Sequence, residues 1–380
     1  MAVLSLILLV IALAGACYLA LALVCLGAFV RRPLEVASEF LPSVTTLKPI
    51  AGLEPNLFEN LASFCNQDYD AFCEVIFCLH SGDDPALEVV NRVVAEFPSC
   101  PTSIAIGEAI GMLNPKIANL AKPGVEVKGE IVVISDSDIR VDRDYLRALA
   151  ASFASERVGA ATCLYGGLPS ANIVSRLGAM QIEDGFAPSV LVALALGKLR
   201  FCLGATMAVR RRVVEAIGGL GALGQDIADD HLLGELVTRH GYEIELSRYV
   251  VKTTVPEQDL GALWSHELRW ARTNLALAPV GYAFSFLMYA LPFALIYLVI
   301  SGNLAWGLPL LAAVTALRVA LHYLARAALR VTHRDDVWLI PLRDFLSLAV
   351  WVVSLFGRTI QWRNRKYRGL SSRRPSTGSG

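Results

Sequence analysis

The sequence predicts an α/β domain with a mostly parallel sheet, flanked by transmembrane helices at its N- and C-terminal ends. Between residues 43 and 250, short apolar strands alternate with helical stretches, which is typical of a parallel sheet covered by helices on both faces. Hydrophobic residues make up 55% of the 380 residues, and the mean hydropathy is +0.51. These values exceed those of ordinary soluble enzymes and favour membrane segments.

Charge and cysteine content limit the possible partners. The chain has 34 basic and 34 acidic residues, so its formal net charge is zero and no electrostatic argument supports a nucleic-acid partner. None of the 8 cysteines forms a C-x-x-C motif, and Cys17 and Cys25 lie in the first apolar segment. We therefore expect reduced thiols rather than a disulfide framework.

Residues 1–30 are predicted to form an N-terminal transmembrane anchor. The run is almost continuously apolar and is followed by Arg31 and Arg32. It is long enough to span a bilayer, has no charge before the apolar run and lacks a convincing cleavage site, unlike a secretory signal. The two arginines predict that the following α/β domain, residues 40–255, lies in the cytoplasm.

The predicted strands and helices of this domain are short. The strands are expected at residues 44–47, 75–79, 131–134 and 158–163, and helices at 85–97 and 143–155. A domain of this size can form one nucleotide-binding unit with its own core.

The C-terminal part is predicted to contain an amphipathic interfacial helix, residues 256–279, and a membrane region, residues 280–357. Within that region the charge-free run 281–300 and the run 304–324 are each long enough for one span. Arg318, His322 and Arg326 share one face of the second run. They could face a protein interior or extend towards the membrane surface.

The last apolar stretch, residues 345–356, is expected to be re-entrant or interfacial. Twelve helical residues cover about 18 Å, less than the hydrocarbon core of about 30 Å. The tail at 358–380 is basic, and a span at 345–356 would place it outside, against the positive-inside rule. We expect the tail to lie in the cytoplasm near anionic lipid, with residues 375–380 disordered.

Candidate chemistry begins at Ser135-Asp136-Ser137-Asp138, directly after the strand at 131–134. Because side chains alternate along a strand, Asp136 and Asp138 can point the same way at the edge where α/β sheets bind ligands. Two carboxylates there suit Mg²⁺ or Mn²⁺ carrying a diphosphate. Many surface turns also contain D-x-D, so the motif needs support from the rest of the chain.

Two further positions could contact a nucleotide. Asp84 follows the strand at 75–79 and could accept a hydrogen bond from a nucleobase or ribose, or could simply belong to a turn before a helix. Lys116 begins an apparent helix and could neutralise phosphate, or could be an ordinary exposed lysine.

Two later motifs could complete a site. Asp230, in Asp229-Asp230-His231, could be a general base for an attacking sugar-acceptor hydroxyl, or the acidic pair could cap a helix. On the amphipathic helix, Arg269 could bind a leaving diphosphate and Trp270 could line an acceptor pocket. Alternatively, both belong to an interfacial helix with an aromatic belt residue.

These motifs, in the order D, D-x-D, D and [Q/R/H]-x-x-R-W, resemble those of family 2 and family 21 glycosyltransferases of the Rossmann-like GT-A fold. The nearer resemblance is to ceramide glucosyltransferases, over roughly residues 40 to 370. It includes the segments Lys48-Pro49-Ile50, Asn114-Pro115-Lys116-Ile117 and Gly204-Ala205-Thr206-Met207. The resemblance implies an inverting, UDP-sugar-dependent hexosyltransferase that uses Mg²⁺ or Mn²⁺ and a lipid acceptor.

The resemblance also implies roles for individual residues. Asp136 and Asp138 would hold the metal, and Asp230 would be the catalytic base. The residues expected to bind the sugar nucleotide are Lys48, Asp84, Lys116, Asp136, Arg269 and Trp270.

Two departures from the ceramide enzymes concern the acceptor. Asp138 stands where those enzymes commonly have glycine, and Ala187 stands where they have the histidine of a His-Pro pair. The chain looks more like the bacterial hopanoid-biosynthesis branch, which implies transfer of GlcNAc from UDP-GlcNAc to bacteriohopanetetrol at the bacterial inner membrane. The alternatives are a ceramide glucosyltransferase, a processive polysaccharide synthase, and a non-enzymatic membrane scaffold or transporter.

Overall fold

An eight-stranded mixed sheet organises the middle of the chain. The computed structural model describes residues 2–37, 40–357, 359–362 and 365–368. The strands of the sheet are β1 (Val44–Ile50), β2 (Cys73–Leu79), β3 (Thr102–Ile106), β4 (Ile131–Ile134), β5 (Ile139–Arg140), β6 (Val158–Pro169), β7 (Met207–Arg210) and β8 (Glu243–Val255). A separate hairpin pairs β9 (Thr359–Trp362) with β10 (Arg365–Arg368).

The strand order is β3-β2-β1-β4-β7-β6-β8-β5. Strands β3, β2, β1 and β4 are parallel to one another, and β6 is parallel to β8. The predicted α/β fold with a mostly parallel sheet is confirmed, and all four predicted strands occur. The antiparallel insertion of β7 between β4 and β6 was not predicted, because the sequence of a four-residue strand carries no information on its direction.

The described helices pack on the sheet and form the membrane region. They are α1 (Ala2–Arg31), α2 (Leu57–Cys65), α3 (Ala86–Glu96), α4 (Pro115–Leu120), α5 (Tyr145–Ala151), α6 (Ile173–Met180), α7 (Ala187–Leu196), α8 (Arg211–Ala216), α9 (Asp229–Arg239), α10 (Leu260–Leu277), α11 (Pro279–Phe284), α12 (Ala290–Ser301), α13 (Leu304–Ala328) and α14 (Ile340–Ser354). A π-helical segment, Gln181–Phe186, joins α6 to α7, and 3-10 turns occur at Leu220–Gln225, Ser285–Met288 and Val337–Leu339.

The two faces of the sheet bury different hydrophobic cores. Along β4, Ile131 and Val133 pack into a core that includes α2, α3 and α5. Their neighbours Val132 and Ile134 pack into a second core, which continues into α1, α12 and α13. Since side chains alternate between the faces of a strand, one short strand joins both cores.

Among the described residues, four helices are long and apolar enough to cross a membrane: α1, the continuous stretch Ile173–Leu196, α13, and Val337–Ser354. The stretch Ile173–Leu196 contains Glu183 and Asp184 and lies within the predicted α/β domain, where no membrane segment was predicted. Both acidic residues are buried inside the protein. The burial explains how so apolar a helix tolerates two charged residues.

The run 281–300 was predicted to be one span, which stays a prediction, and the structure divides this run into two helical pieces. Two pieces, Pro279–Met288 and Ala290–Ser301, meet at an angle of 59°. Pro292 accounts for the position of the break, because proline is tolerated in the first turn of a helix but not in its interior. A helix that contains Pro292 must therefore begin close to it, as α12 does at Ala290.

The helix that contains residues 345–356 is longer than the apolar run indicated. The helix begins earlier, and the stretch Val337–Ser354 is 18 residues long. It includes Arg343 and Asp344, which precede the apolar run at 345–356 in the sequence. Both are buried and paired with other side chains. A re-entrant placement remains a prediction that depends on the basic tail, and residues 358, 363–364 and 369–380 of that tail lie outside the described residues.

Arg318 and His322 face the interior of the protein, the first of the two alternatives considered. Arg318 Nη1 lies 3.2 Å from Asp184 Oδ2, and its Nη2 lies 3.0 Å from Asp344 Oδ1. His322 Nδ1 lies 2.8 Å from the same Asp184 oxygen. Arg326, on the same helix face, instead donates to the backbone carbonyl of His333 at 2.5 Å.

Candidate active site

Two acidic motifs that are far apart in the sequence meet next to Gly204. A Cβ on Gly204 would lie 3.5 Å from Asp136 Oδ2, 3.7 Å from Asp230 Oδ2 and 4.0 Å from Lys116 Nζ. Asp136 follows β4, and Asp230 lies in the first turn of α9. The D-x-D carboxylate and the candidate base therefore border one cleft, and glycine leaves the space between them open.

Lys116 is not an exposed lysine. Its Nζ lies 2.8 Å from Asp136 Oδ1 and 3.0 Å from Asp229 Oδ2, and its side chain is 13% exposed. Burial alone would lower the pKa of Lys116, but the carboxylates of Asp136 and Asp229 raise it well above the ordinary value. A permanently charged amine thus links the D-x-D loop to the start of α9.

Asn114 also holds the start of α9 in place, and sequence analysis missed it as a functional position. Its Oδ1 accepts hydrogen bonds from the backbone N–H groups of Lys116 and Ile117, which makes it the N-cap of α4. Its Nδ2 donates to Asp229 Oδ1 at 3.2 Å and to the carbonyl of Asp226 at 3.0 Å. The Asn-Pro-Lys spacing could have indicated the cap, but not the contact with Asp229.

Asp138 is held by strand β8. Thr253 donates its hydroxyl hydrogen to Asp138 Oδ2 at 2.9 Å, and the N–H of Thr254 donates to the Asp138 carbonyl at 3.0 Å. Burial, together with the nearby carboxylates of Asp136 and Glu54, raises the pKa of Asp138 to about 7. The site therefore has an excess of acidic groups.

Lys48 holds the backbone of the D-x-D loop from the buried side of the domain. Its fully buried amine donates to the backbone carbonyl of Asp136 at 2.5 Å and lies 3.8 Å from the centre of the Phe64 ring. Burial lowers the pKa of Lys48 to about 7. The expected contact of Lys48 with the nucleotide stays a prediction, because its hydrogen bond goes to the loop.

Asp84 joins two loops at the carboxyl ends of β1 and β2. Its carboxylate oxygens accept the N–H of Gly52 at 3.1 and 3.0 Å, and Oδ1 also accepts the N–H of Ala86 at 2.9 Å. Gly52 has φ +75°, a left-handed conformation that favours glycine. The turn alternative is therefore present in the structure, and a nucleotide contact stays a prediction.

Asp230 has the environment of a base. Its carboxylate accepts the N–H of His231 at 2.8 Å. Burial and the neighbouring Asp229 carboxylate raise the pKa of Asp230 to about 7, although Lys116 acts in the opposite direction. A carboxyl group whose pKa is close to the pH of the cell interior can both accept and release a proton readily.

Arg269 and Trp270 lie on α10, beside Glu257. His266 Nδ1 is hydrogen-bonded to Glu257 Oε1, and the rings of His266 and Trp270 meet edge to face at 4.5 Å. Burial lowers the pKa of Arg269, and Glu257 partly offsets this. In the part of the chain that the structure describes, Arg269 has this acidic neighbour rather than a contact with Asp136 or Asp138.

Tyr165 lies between the acidic cleft and the apolar cluster that contains Trp270. Sequence analysis missed this residue. Its ring stacks on Phe186 at 4.9 Å and joins an apolar cluster that also contains Trp270 and Val255. Burial and the negative charges of the cleft raise the pKa of Tyr165 well above its ordinary value. Its place just beyond the predicted strand 158–163 was the signal that could have found it.

The acidic side chains of the site fit a divalent cation that takes some of its ligands from the protein and the rest from a diphosphate. Across the described residues, no group of three or more His, Cys, Asp or Glu side chains could hold a metal alone. Mg²⁺ is commonly bound by one or two carboxylates plus substrate phosphates, and Asp136 and Asp138 supply such a pair. A cation would also relieve the excess negative charge that raises the pKa of Asp138.

This sheet, with acidic loops at the carboxyl ends of its strands, has the arrangement of the GT-A fold. A solved mannosyltransferase from Pyrobaculum calidifontis, in complex with GDP-Man and Mn²⁺, superposes with a TM-score of 0.55 and 20% identity. The match covers 93% of this chain and 99% of that one, and it shows the fold. The predicted GT-A fold is confirmed.

The chain belongs to glycosyl transferase family 21, whose sequence model matches residues 7–374. Ceramide glucosyltransferase 1 of Caenorhabditis elegans is 26% identical over 347 residues, which cover 86% of this chain and 72% of the relative. A ceramide glucosyltransferase of Gibberella zeae is 34% identical over 133 residues, or 33% of this chain and 25% of the relative.

Proposed function

We propose that this protein transfers a hexose from a UDP-sugar to a hydroxyl group of a membrane lipid, with inversion at the anomeric carbon. The observation that carries the proposal is the meeting of Asp136 and Asp230 beside Gly204. One cleft then contains acidic groups for the diphosphate side and a separate carboxylate for the acceptor side. Family 21 membership supports the same reaction class and argues against a non-enzymatic scaffold or transporter.

Asp230 is proposed as the general base. Its carboxylate takes the proton of the lipid hydroxyl while that oxygen bonds to the anomeric carbon and the bond from this carbon to UDP breaks. A single displacement inverts the configuration and needs no nucleophile from the protein. The raised pKa of Asp230, about 7, suits a base that must accept a proton at neutral pH.

Asp136 and Asp138 are proposed to hold Mg²⁺ or Mn²⁺, which would neutralise charge on the departing diphosphate. Thr253 orients Asp138, and Lys116 orients Asp136. Both carboxylates are thereby fixed before substrate binds, which lowers the reorganisation required during the reaction.

The remaining predicted positions are proposed to bind the substrates. Asp84 would contact the uridine, with Lys48 and Lys116 keeping the phosphate-binding loops in place. Arg269 would bind the diphosphate, and Trp270 would line the acceptor side together with Tyr165. The shared apolar cluster of Trp270 and Tyr165 supports this arrangement.

The protein is proposed to be a multi-pass protein of the bacterial inner membrane with its catalytic domain in the cytoplasm. The candidate spans and the arginines that follow α1 support this orientation. The lipid acceptor would then reach the cleft from the same bilayer that holds the helices, which raises its effective concentration.

The proposed acceptor is bacteriohopanetetrol, with GlcNAc as the sugar, and ceramide with glucose is the second candidate. The relatives named above are ceramide glucosyltransferases, which favours ceramide. Asp138 and Ala187 depart from the ceramide enzymes and favour the hopanoid polyol. Ala187 is fully buried and follows Phe186, which stacks on Tyr165, so this departure lies next to the proposed acceptor wall.

The test offers purified protein UDP-GlcNAc or UDP-glucose with bacteriohopanetetrol or ceramide, in all four combinations. UDP release and the mass of the lipid product are measured. We expect GlcNAc-bacteriohopanetetrol as the main product, formed only with a divalent metal. Glucosylceramide would support the second candidate, and no product from any pair would contradict lipid glycosylation.

Asp230→Asn separates binding from chemistry in the same assay. It should abolish transfer and leave UDP-sugar binding largely intact, because the amide keeps the shape of the carboxylate but cannot accept the proton. Near-normal turnover in this variant would exclude Asp230 as the base.

A further inference from the structure

Three arginines from different parts of the chain come together where two candidate membrane helices end. Arg32 follows α1, Arg330 follows α13, and Arg248 lies on β8. We propose that these residues, the arginine cluster, bind the phosphate group of an anionic phospholipid at the cytoplasmic surface of the bilayer. The proposal depends on the proposed membrane placement of α1 and α13, and it is independent of the sugar-transfer reaction.

Arg248 marks the place where both helices end. Its guanidinium lies 4.4 Å from the centre of the Phe29 ring, and its Nη1 donates to the carbonyl of Ala328 at 3.3 Å. Phe29 lies in the last turn of α1, and Ala328 is the last residue of α13. The two helices therefore reach the polar edge of the membrane together, at the level where lipid phosphates lie.

The arginine cluster has more positive charge than its protein neighbours neutralise. Burial lowers the pKa of Arg248, and the charges of Arg330 and Arg32 lower it further. Within the described residues, the acidic group paired with the cluster is Glu245, which lies 2.5 Å from Arg32 on an exposed surface. Exposed pairs of this kind contribute little.

The guanidinium of Arg248 also has an unused donor. Its Nε is buried and has no hydrogen-bond partner among the described residues. A buried polar group without a partner is unfavourable, so an acceptor placed at this edge would be stabilised. Phosphate oxygens are well suited, because a guanidinium can donate two parallel hydrogen bonds to them.

Arg330 occupies a backbone position that normally favours glycine. Its φ is +52°, and the N–H of Val331 donates to the carbonyl of Arg326 at 2.9 Å, which closes the end of the helix. The left-handed residue in such a helix end is usually glycine, because other residues are strained there. Arg330 stands at a position where the backbone alone would favour glycine, and this supports a binding role for its side chain.

A phospholipid fits this place better than a free anion does. The flank of α1 beside the cluster is apolar and open, with Val24 69% exposed and Val30 36% exposed. Acyl chains would cover this surface while the phosphate contacts the arginines. Inorganic phosphate would gain only the charge interaction.

The experiment titrates the full-length protein, in a non-ionic detergent, with dioctanoyl phosphatidylglycerol, dioctanoyl phosphatidylcholine or inorganic phosphate, and records the Tm. Phosphatidylglycerol should raise the Tm, whereas the other two at equal concentration should not. Arg330→Gly should weaken the apparent affinity for phosphatidylglycerol roughly fivefold, the change that about 1 kcal/mol per basic residue implies. Because this variant removes backbone strain, its lipid-free Tm should be kept or raised.

The matched control is Arg92→Gln, which removes one exposed positive charge from α3. This helix follows β2, which lies near the opposite edge of the sheet from β8. The control should respond to phosphatidylglycerol like the unaltered protein. An unaltered response in Arg330→Gly, or an equal response to inorganic phosphate, would overturn the proposal.

Discussion

Glu267 and Arg343 form a buried, two-pronged ion pair between α10 and α14. Arg343 Nη1 and Nη2 each lie 2.7 Å from one of the two Glu267 carboxylate oxygens. The same guanidinium donates to the carbonyl of Leu177 on α6 at 3.1 Å and to Ser347 at 3.0 Å. One side chain thus connects three helices, and one of them carries Arg269 and Trp270.

Removing one partner of this pair should destabilise the protein and impair the proposed site together. Glu267→Ala leaves the Arg343 charge buried without its partner, which typically costs about 3–5 kcal/mol. We expect a clear fall in Tm and weaker UDP-sugar binding, because α10 loses its attachment to α14. Both are measured on purified protein in detergent.

The exchanged double variant Glu267→Arg with Arg343→Glu tests whether the pairing itself matters, and it should recover part of the lost Tm. Arg239→Ala is the control, since its pair with Glu235 is exposed and should contribute little. Equal effects of Glu267→Ala and Arg239→Ala would contradict the structural role.

Gly204→Ala should lower activity without unfolding the protein. The added methyl group would lie 3.5 Å from Asp136 and 3.7 Å from Asp230, which are ordinary contact distances, but it would occupy the space between the two carboxylates. We expect at least about a tenfold fall in kcat/KM, because a small displacement of reacting groups has large effects on rate. The Tm should stay close to that of the unaltered protein.

Gly82→Ala is the comparison for this variant, because a Cβ there meets no atom within 4 Å. It should leave both activity and Tm unchanged. If Gly204→Ala were as active as Gly82→Ala, the space beside Gly204 would not be where the substrates react.

The rate of transfer should depend on pH through Asp230. The proposed base acts only when ionised, so kcat/KM should fall as the pH drops below about 7, the raised pKa of this carboxyl group. A flat profile between pH about 6 and about 8 would argue against Asp230 as the base.

The effect of Asp230 on stability should have the opposite sign. Its pKa rises from 3.8 to about 7 on folding, so the folded state binds more protons than the unfolded state between these pH values. Its contribution to the free energy of unfolding therefore falls as the pH rises through that window. Asp230→Asn should remove this part of the pH dependence, as measured by denaturant unfolding at a series of pH values.

Thr253→Val should weaken metal binding while leaving the proposed ligands in place. Thr253 is the hydrogen-bond donor that orients Asp138, and loss of such a partner typically weakens metal affinity by about 10- to 100-fold. Mn²⁺ affinity can be measured by calorimetry in the presence of UDP. Thr315→Val is the control, because in the described part of the chain the Thr315 hydroxyl donates to the Leu311 carbonyl of its own helix.

The sheet could be predicted well because the pattern that indicates a strand lies within a few neighbouring residues. The strand at 131–134 and the acidic loop after it are read directly from alternating side chains and a run of apolar residues. Contacts between distant segments could not be predicted from the sequence. Examples are those of Asn114 with Asp229 and of Thr253 with Asp138. The roles implied for Asp84 and Arg269 remain predictions, since Asp84 accepts hydrogen bonds from Gly52 and Ala86, and Arg269 lies beside Glu257.

Charged residues explain the errors in the membrane region. Glu183, Asp184, Arg343 and Asp344 interrupt apolar runs, so hydropathy alone ended or omitted the helices that contain them. Each is neutralised by a residue far away in the sequence, as Asp184 is by Arg318. A hydropathy window averages over neighbours in the chain and has no access to such pairing.

The alternation along β4 has a consequence for protein production. Val132 and Ile134 belong to the same core as Leu19 and Leu26 of α1, and α1 packs against α7, α12 and α13, which continue this core. Deleting residues 2–31 to obtain a water-soluble enzyme would expose the apolar sides of these three helices, and the fragment should aggregate. Purification therefore requires the intact chain together with a detergent or lipid.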